Sequence, residues 1–201
     1  KTYQLPEALE TTEGQANVVL IQVDKNRNDF CGLESSKTLT ICPHSLDGDM
    51  KNALLAPIIS KWGKIDHTFK VIFLPSSYMS NYKPLDGLQM METVKRNCLL
   101  FVELIRFVSD LPRHPPVIVI TENTQGMDNG SPVPVNVCGS ELWGQIRCLL
   151  RELVYVNVFL IDVIDMKENE SILKNFLSQP LTSLMACTTE IVITKRKIYA
   201  I

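Results

Sequence analysis

Between Val117 and Asp162, two unbroken apolar runs flank one short amphipathic stretch that carries Trp143, Gly144 and Arg147. Strand-length runs with no polar alternation suit strands buried on both faces, the situation that helices packed over a parallel sheet create. The helical stretch between them gives the crossover that parallel neighbours need.

The same alternation extends through the rest of the chain. Residues 17–23, 38–42, 69–75 and 116–121 read as strands, and residues 154–163 as a fifth. Between them, residues 49–61 place Leu54, Leu55, Ile58 and Ile59 on one helical stripe, although Pro57 interrupts it. In residues 88–111 the apolar positions Met91, Val94, Cys98, Leu99, Phe101, Val102, Leu104, Ile105 and Val108 recur at helical spacing. A further helix is expected over 140–153, with Ser140 as N-cap and Glu141 in its first turn. Residues 170–177 read as a short helix, and 189–194 and 197–200 as β pieces around a Lys195-Arg196 turn. The loop 126–137, rich in Asn, Gly and Pro, is expected on the surface. Strands alternating with helices predict an α/β fold of the doubly wound class, a parallel sheet with helices on both faces and a C-terminal β extension.

At 201 residues and 45% hydrophobic content, the chain can bury one full core, so 1–201 is read as one domain with 1–16 as a lead-in or linker from a preceding domain. A net charge of -2 provides no basic field for nucleic acid or an anionic membrane. No apolar run approaches the roughly 20 residues of a bilayer span, and the cytoplasm is the expected compartment. The first residue is not Met, which suggests a piece of something longer. Six cysteines lack metal-ligand spacing, which argues against a zinc site and predicts reduced, mostly buried thiols.

A doubly wound fold raises the question of nucleotide binding. A dinucleotide site needs glycines after the first strand so that the backbone can approach a pyrophosphate. Here that strand runs into Asp24-Lys25-Asn26-Arg27-Asn28-Asp29, and no GxGxxG or Walker pattern occurs. A short-chain reductase also needs a tyrosine to protonate the alkoxide, a lysine nearby and a serine to orient the substrate. Tyr78 and Tyr82-Lys83 have the residue types without the helical spacing, and Tyr155 has no lysine at helical distance. His44, His67 and His114 have no partner set by sequence, and there is no GxSxG elbow. Asp162 reads as a strand-end carboxylate receiving backbone donors, and Arg147 and Glu152 as residues that pair locally or dock their helix. Trp143 can fill a gap between helix and sheet, and Gly144 suggests that something packs closely beside it.

Val117 to Thr121, Trp143-Gly144-x-x-Arg147, Glu152 and Leu160-Ile161-Asp162 follow the order and spacing of the structural subdomain of ketoreductases in polyketide synthases, called the pseudo-ketoreductase in animal fatty acid synthases. The tail 190–200 resembles that family's closing hairpin, and Val71 to Pro75 with the helix after it resembles its earlier strand and long helix. The chain departs where Glu122-Asn123 stands for Arg-Gly and Leu153-Val154 for His-Pro. The resemblance implies a truncated Rossmann-like subdomain with no catalytic, cofactor-binding or metal residues of its own, not an enzyme by itself. Its structural and interface candidates are Trp143, Gly144, Arg147, Glu152 and Asp162. NADPH would be bound by the catalytic ketoreductase half elsewhere in the polypeptide, which reduces a β-ketoacyl group on an acyl carrier protein; an enoylreductase can lie between the halves. No nucleic-acid or membrane partner is implied. The residues by themselves also admit a stand-alone α/β enzyme with a site at the strand carboxyl ends near Thr121, Glu122 and Asp162, or a protein-binding module.

Overall fold

A computed structural model describes residues 2–3, 17–23, 38–42, 50–62, 69–76, 86–111, 114–125, 136–178, 189–195 and 197–201. The strands are β1 (Thr2–Tyr3), β2 (Asn17–Gln22), β3 (Thr38–Ile41), β4 (Phe69–Leu74), β5 (Val117–Glu122), β6 (Val158–Val163), β7 (Glu190–Thr194) and β8 (Lys197–Ala200). The helices are α1 (Met50–Trp62), α2 (Gly87–Ser109), α3 (Ser140–Glu152) and α4 (Met166–Ser178).

One sheet runs in the order β1-β8-β7-β6-β5-β4-β2-β3. From β3 to β7 every pairing is parallel, and β8 turns back antiparallel on β7, with β1 antiparallel on β8. The expected α/β architecture with a C-terminal β extension is therefore present. Among the parallel strands, the second in the chain lies on one side of the first and the third on the other. The winding thus reverses between β2 and β4, where open α/β sheets hold ligands beyond the strand carboxyl ends.

Period-2 alternation divides the strands between two cores. Val19, Val71, Phe73, Val117, Val119, Val158 and Leu160 face α1, α2 and α3. Leu20, Ile72, Ile118, Ile120, Ile161 and Ile193 face the side that α4 covers with Leu173 and Leu177. Helices thus lie on both faces, which explains why these strands have no polar side.

Several local readings need correction. In α1 only Leu54 and Ile58 of the four-residue stripe are fully buried; Ile59 is 48% exposed, and the helix continues through Pro57 because these two anchors hold it to the sheet. The buried face of α2 begins only at Asn97 and runs through Leu100, Phe101, Leu104, Ile105, Phe107 and Val108, leaving Met91 and Leu99 exposed. β6 starts at Val158, because Leu153 ends α3 and a turn exposes Val154 and Tyr155 before the chain enters the sheet. Cys138 is buried, Cys42 and Cys98 are half-buried, and Cys148 is exposed, so the cysteines are free but not mostly buried among those described; Cys31 and Cys187 lie outside the described residues.

Lys70 is an unexpected occupant of β4. It is buried on the α4 side, and its Nζ donates to the Leu177 carbonyl, one of the orphan acceptors at the end of that helix. Burial lowers its pKa. The native state therefore gives up this proton at lower pH than the unfolded chain does, so stability rises as pH climbs through the window between the two values. Urea unfolding from about pH 7 to about pH 10 should show this rise, and Lys70→Met should remove it.

Candidate functional site

The carboxyl ends of β5 and β6 bring the polar residues of the opening stretch together. The strands pair Thr121 with Asp162 and Glu122 with Val163, and Thr121 and Asp162 point to the α3 side. Asp162 is fully buried. Its Oδ1 accepts from Thr121 Oγ1 at 2.9 Å, Thr124 Oγ1 at 2.8 Å and Thr124 N at 3.0 Å. Its Oδ2 accepts from Thr124 N at 3.0 Å and Gln125 N at 2.9 Å. One carboxylate thus satisfies the backbone of the turn that leaves β5, and both hydroxyl protons are directed into it.

α3 descends onto this turn through Gly139. Its φ of 112° is costly for any L side chain, and a Cβ there would meet Thr124 Cγ2 at 3.4 Å and Thr121 Cγ2 at 3.5 Å. Gly139, rather than Ser140, occupies the N-cap. With no side chain there to cap the helix, Glu141 takes up the Gly139 N–H at 2.6 Å, while Ser140 Oγ donates to Val137 O at 2.7 Å. The stretch expected on the surface as 126–137 is described only from Asn136 onward, and Asn136 is buried.

The anchored helix sets Trp143 over Thr121, its Nε1 donating to Thr121 Oγ1 at 3.1 Å. One turn on, the Arg147 guanidinium lies 5.5 Å from the centre of the indole. It also forms a two-pronged pair with Glu190, Nε to Oε1 at 2.8 Å and Nη2 to Oε2 at 2.7 Å. The hydrogen bonds that Arg147 donates to the Glu190 carboxylate raise the Arg147 pKa. Trp143, Arg147 and Asp162 thus belong to one network that ties α3 to β5, β6 and β7.

Gly144 and Glu152 fall on the exposed side of α3. Nothing lies within 4 Å of where a Gly144 Cβ would be, so the close packing expected there does not exist among the described residues. Glycine in a helix interior costs about 1 kcal/mol relative to alanine, and Gly144→Ala should raise the unfolding free energy by about 0.5–1 kcal/mol, read from urea denaturation.

A second polar network went unnoticed in the sequence. Asn97, fully buried in α2, clamps the backbone after β4: its Oδ1 accepts from Ser76 N at 2.9 Å and its Nδ2 donates to Ser76 O and Glu141 Oε1, each at 3.2 Å. The available signal was an amide inside an otherwise apolar stripe. Beside it, Arg96 Nη2 donates to the Val23 carbonyl at the end of β2, at 3.4 Å.

Val23 is buried at the end of β2, the connection from Asp24 to Lys37, with Gly32, lies outside the described residues, and the described glycines are Gly87, Gly139 and Gly144. Trp143, Arg147 and Thr121 align an aromatic N–H, a cation and a hydroxyl. An indole N–H, however, does not release its proton as a phenol can, and all three groups are engaged within the chain, the indole by Thr121, the hydroxyl by Asp162 and the guanidinium by Glu190. Tyr78, Tyr82, Lys83, His44 and His67 lie outside the described residues, whereas His114 contacts Val108 O and the Tyr155 ring. Among the described residues there is no cluster of three metal-ligating side chains, and no helix is long and apolar enough to cross a membrane.

No family profile and no curated protein matches the sequence. Solved structures do match the fold. A short-chain dehydrogenase/reductase described as a glucose/ribitol dehydrogenase from Brucella melitensis is similar at 18% identity and TM-score 0.53, over 88% of this chain and 84% of that one. A short-chain dehydrogenase/reductase from Serratia marcescens is similar at 14% identity and TM-score 0.55, over 90% of this chain and 97% of that one. A mutant short-chain dehydrogenase/reductase from the same organism gives 14% and 0.52, over 89% and 96%. The expectation of a segment that is not an enzyme by itself is corrected by these matches: the fold is that of dehydrogenase/reductase enzymes, shared over nearly their full length. They contain nothing specific to a polyketide or fatty acid synthase. What they establish is an α/β Rossmann-like fold, the fold these three proteins share.

Proposed function

We propose that this chain is a reductase-type α/β unit that acts in the reduction of a carbonyl substrate, with its site at the carboxyl ends of β5 and β6 around Thr121, Glu122 and Asp162. The observation that carries this reading is the convergence of Thr121, Thr124, Asp162 and Trp143 at the end of a central parallel strand, in a fold shared with short-chain dehydrogenase/reductases. The spacing of Trp143-Gly144-x-x-Arg147 to Asp162 supports a polyketide or fatty acid synthase as the setting and a β-ketoacyl thioester as the substrate. In that setting NADPH is held by the adjoining ketoreductase half, a reading supported by the lack of a GxGxxG pattern in this chain.

Calorimetric titration of the chain with an acetoacetyl thioester and, separately, with NADPH tests the proposal. Saturable thioester binding is expected, with no stoichiometric uptake of NADPH. Absence of thioester binding would sink the reading, and tight NADPH binding by the chain alone would overturn the cofactor assignment.

A further inference from the structure

Asn136 is where the chain returns to the sheet. Its backbone N–H donates to Asn123 O at 2.7 Å, which seats it beyond the carboxyl end of β5, and three residues later Gly139 packs on Thr121 and Thr124. Asn136 is 4% exposed, yet its Nδ2 has no hydrogen-bond partner among the described residues. Other asparagines along this edge are matched. Asn123 Oδ1 accepts from Asp165 N at 3.2 Å, and Asn169 Nδ2 donates to Ile164 O at 2.6 Å. A buried donor with nothing to bond carries its full desolvation cost, and native proteins retain few such groups without a use.

On the carbonyl-reduction reading above, we infer that Asn136 is a ligand-binding residue of this site, its Nδ2 donating to an uncharged carbonyl oxygen of a substrate such as a β-ketoacyl thioester. Chemistry selects the class of acceptor. One neutral amide does not offset the burial of a carboxylate or phosphate, which takes several donors, as Asp162 does here, whereas a carbonyl oxygen needs only one or two. The cation of this region, Arg147, is already engaged by both oxygens of Glu190. The Thr121 and Thr124 hydroxyl protons are committed to Asp162 and the Trp143 N–H to Thr121, whereas the Asn136 amide is a buried donor at this edge with no partner among the described residues.

The experiment compares acetoacetyl-N-acetylcysteamine binding to the wild-type chain, Asn136→Ala and Asn136→Asp by calorimetry, with the melting temperature of each. Both variants should weaken binding about tenfold, the worth of one hydrogen bond to a buried acceptor, while Asn136→Ala melts no lower than wild type because no bond within the chain is lost. Asn136→Asp keeps the shape and exchanges donors for acceptors, so it stands as the readout if the alanine variant folds poorly; it also exposes an amide that acts through its oxygen, since binding would then survive. Wild-type binding with unchanged affinity in both variants overturns the role of Asn136 and leaves the carbonyl reading standing. A lowered melting temperature with unchanged affinity makes the residue structural and likewise overturns it. Failure of the wild-type chain to bind the thioester overturns both.

Discussion

Asp162→Ala should lower the unfolding free energy by about 3–5 kcal/mol, as expected when a single buried acceptor leaves several donors unpaired. The two hydroxyls and two backbone N–H groups that converge on the carboxylate belong to a turn with little access to water. The methyl group that remains bonds none of them. Asp162→Asn is the sharper comparison because it keeps the volume, yet it aims an NH2 at donors already facing it; about 2–3 kcal/mol should be lost. Urea midpoints measure both. A loss below about 1 kcal/mol for Asp162→Ala would mean that the turn after β5 re-forms without its carboxylate. The Asn variant should also disturb the seat of Trp143 on Thr121, visible as a change in indole fluorescence.

The second large effect is expected at Trp143. With 2% exposure it is the largest fully buried side chain described, so Trp143→Ala should cost about 3–5 kcal/mol, from lost burial and the cavity left between α3 and the sheet. Trp143→Phe separates packing from hydrogen bonding: it refills most of the space, removes only the N–H to Thr121, and should cost about 1–2 kcal/mol. Arg147 stacks on the indole while holding Glu190, so the alanine variant should also loosen the link from α3 to β7. A double-mutant cycle between Trp143→Phe and Arg147→Ala should give a coupling of about 0.5 kcal/mol or more. Near-wild-type stability for Trp143→Ala would show that the ring's work lies outside the chain.

The buried strands at 17–22, 69–74, 117–122 and 158–163 were legible because helices on both sides of a sheet leave unbroken apolar runs, and few other structures do. Boundaries were less so. Val154 and Tyr155 continue the apolar run that becomes β6, but the turn from α3 needs those residues, and only the packed connection shows it. The stripe on α2 was misplaced in its first half for a similar reason: periodicity describes which residues share a side, not where the rest of the molecule ends. At the site, Thr121, Trp143, Arg147 and Asp162 could be picked out one by one, whereas Asn97, Asn136 and Glu190 could not. Their meaning lies in bonds to residues that are distant in the chain.

The amino-acid sequence by itself determined the parallel α/β class and the lack of a GxGxxG pattern, since apolar runs, helical spacing and glycine positions are local properties. Tertiary structure alone decided that Trp143 is buried against the sheet, that Asp162 closes the turn after β5, and that Asn136 keeps a donor with no partner among the described residues at the same edge. A side chain's burial and its hydrogen-bond partners are set by groups brought near only when the sheet assembles, and no spacing along the chain encodes which of its polar atoms will be left over.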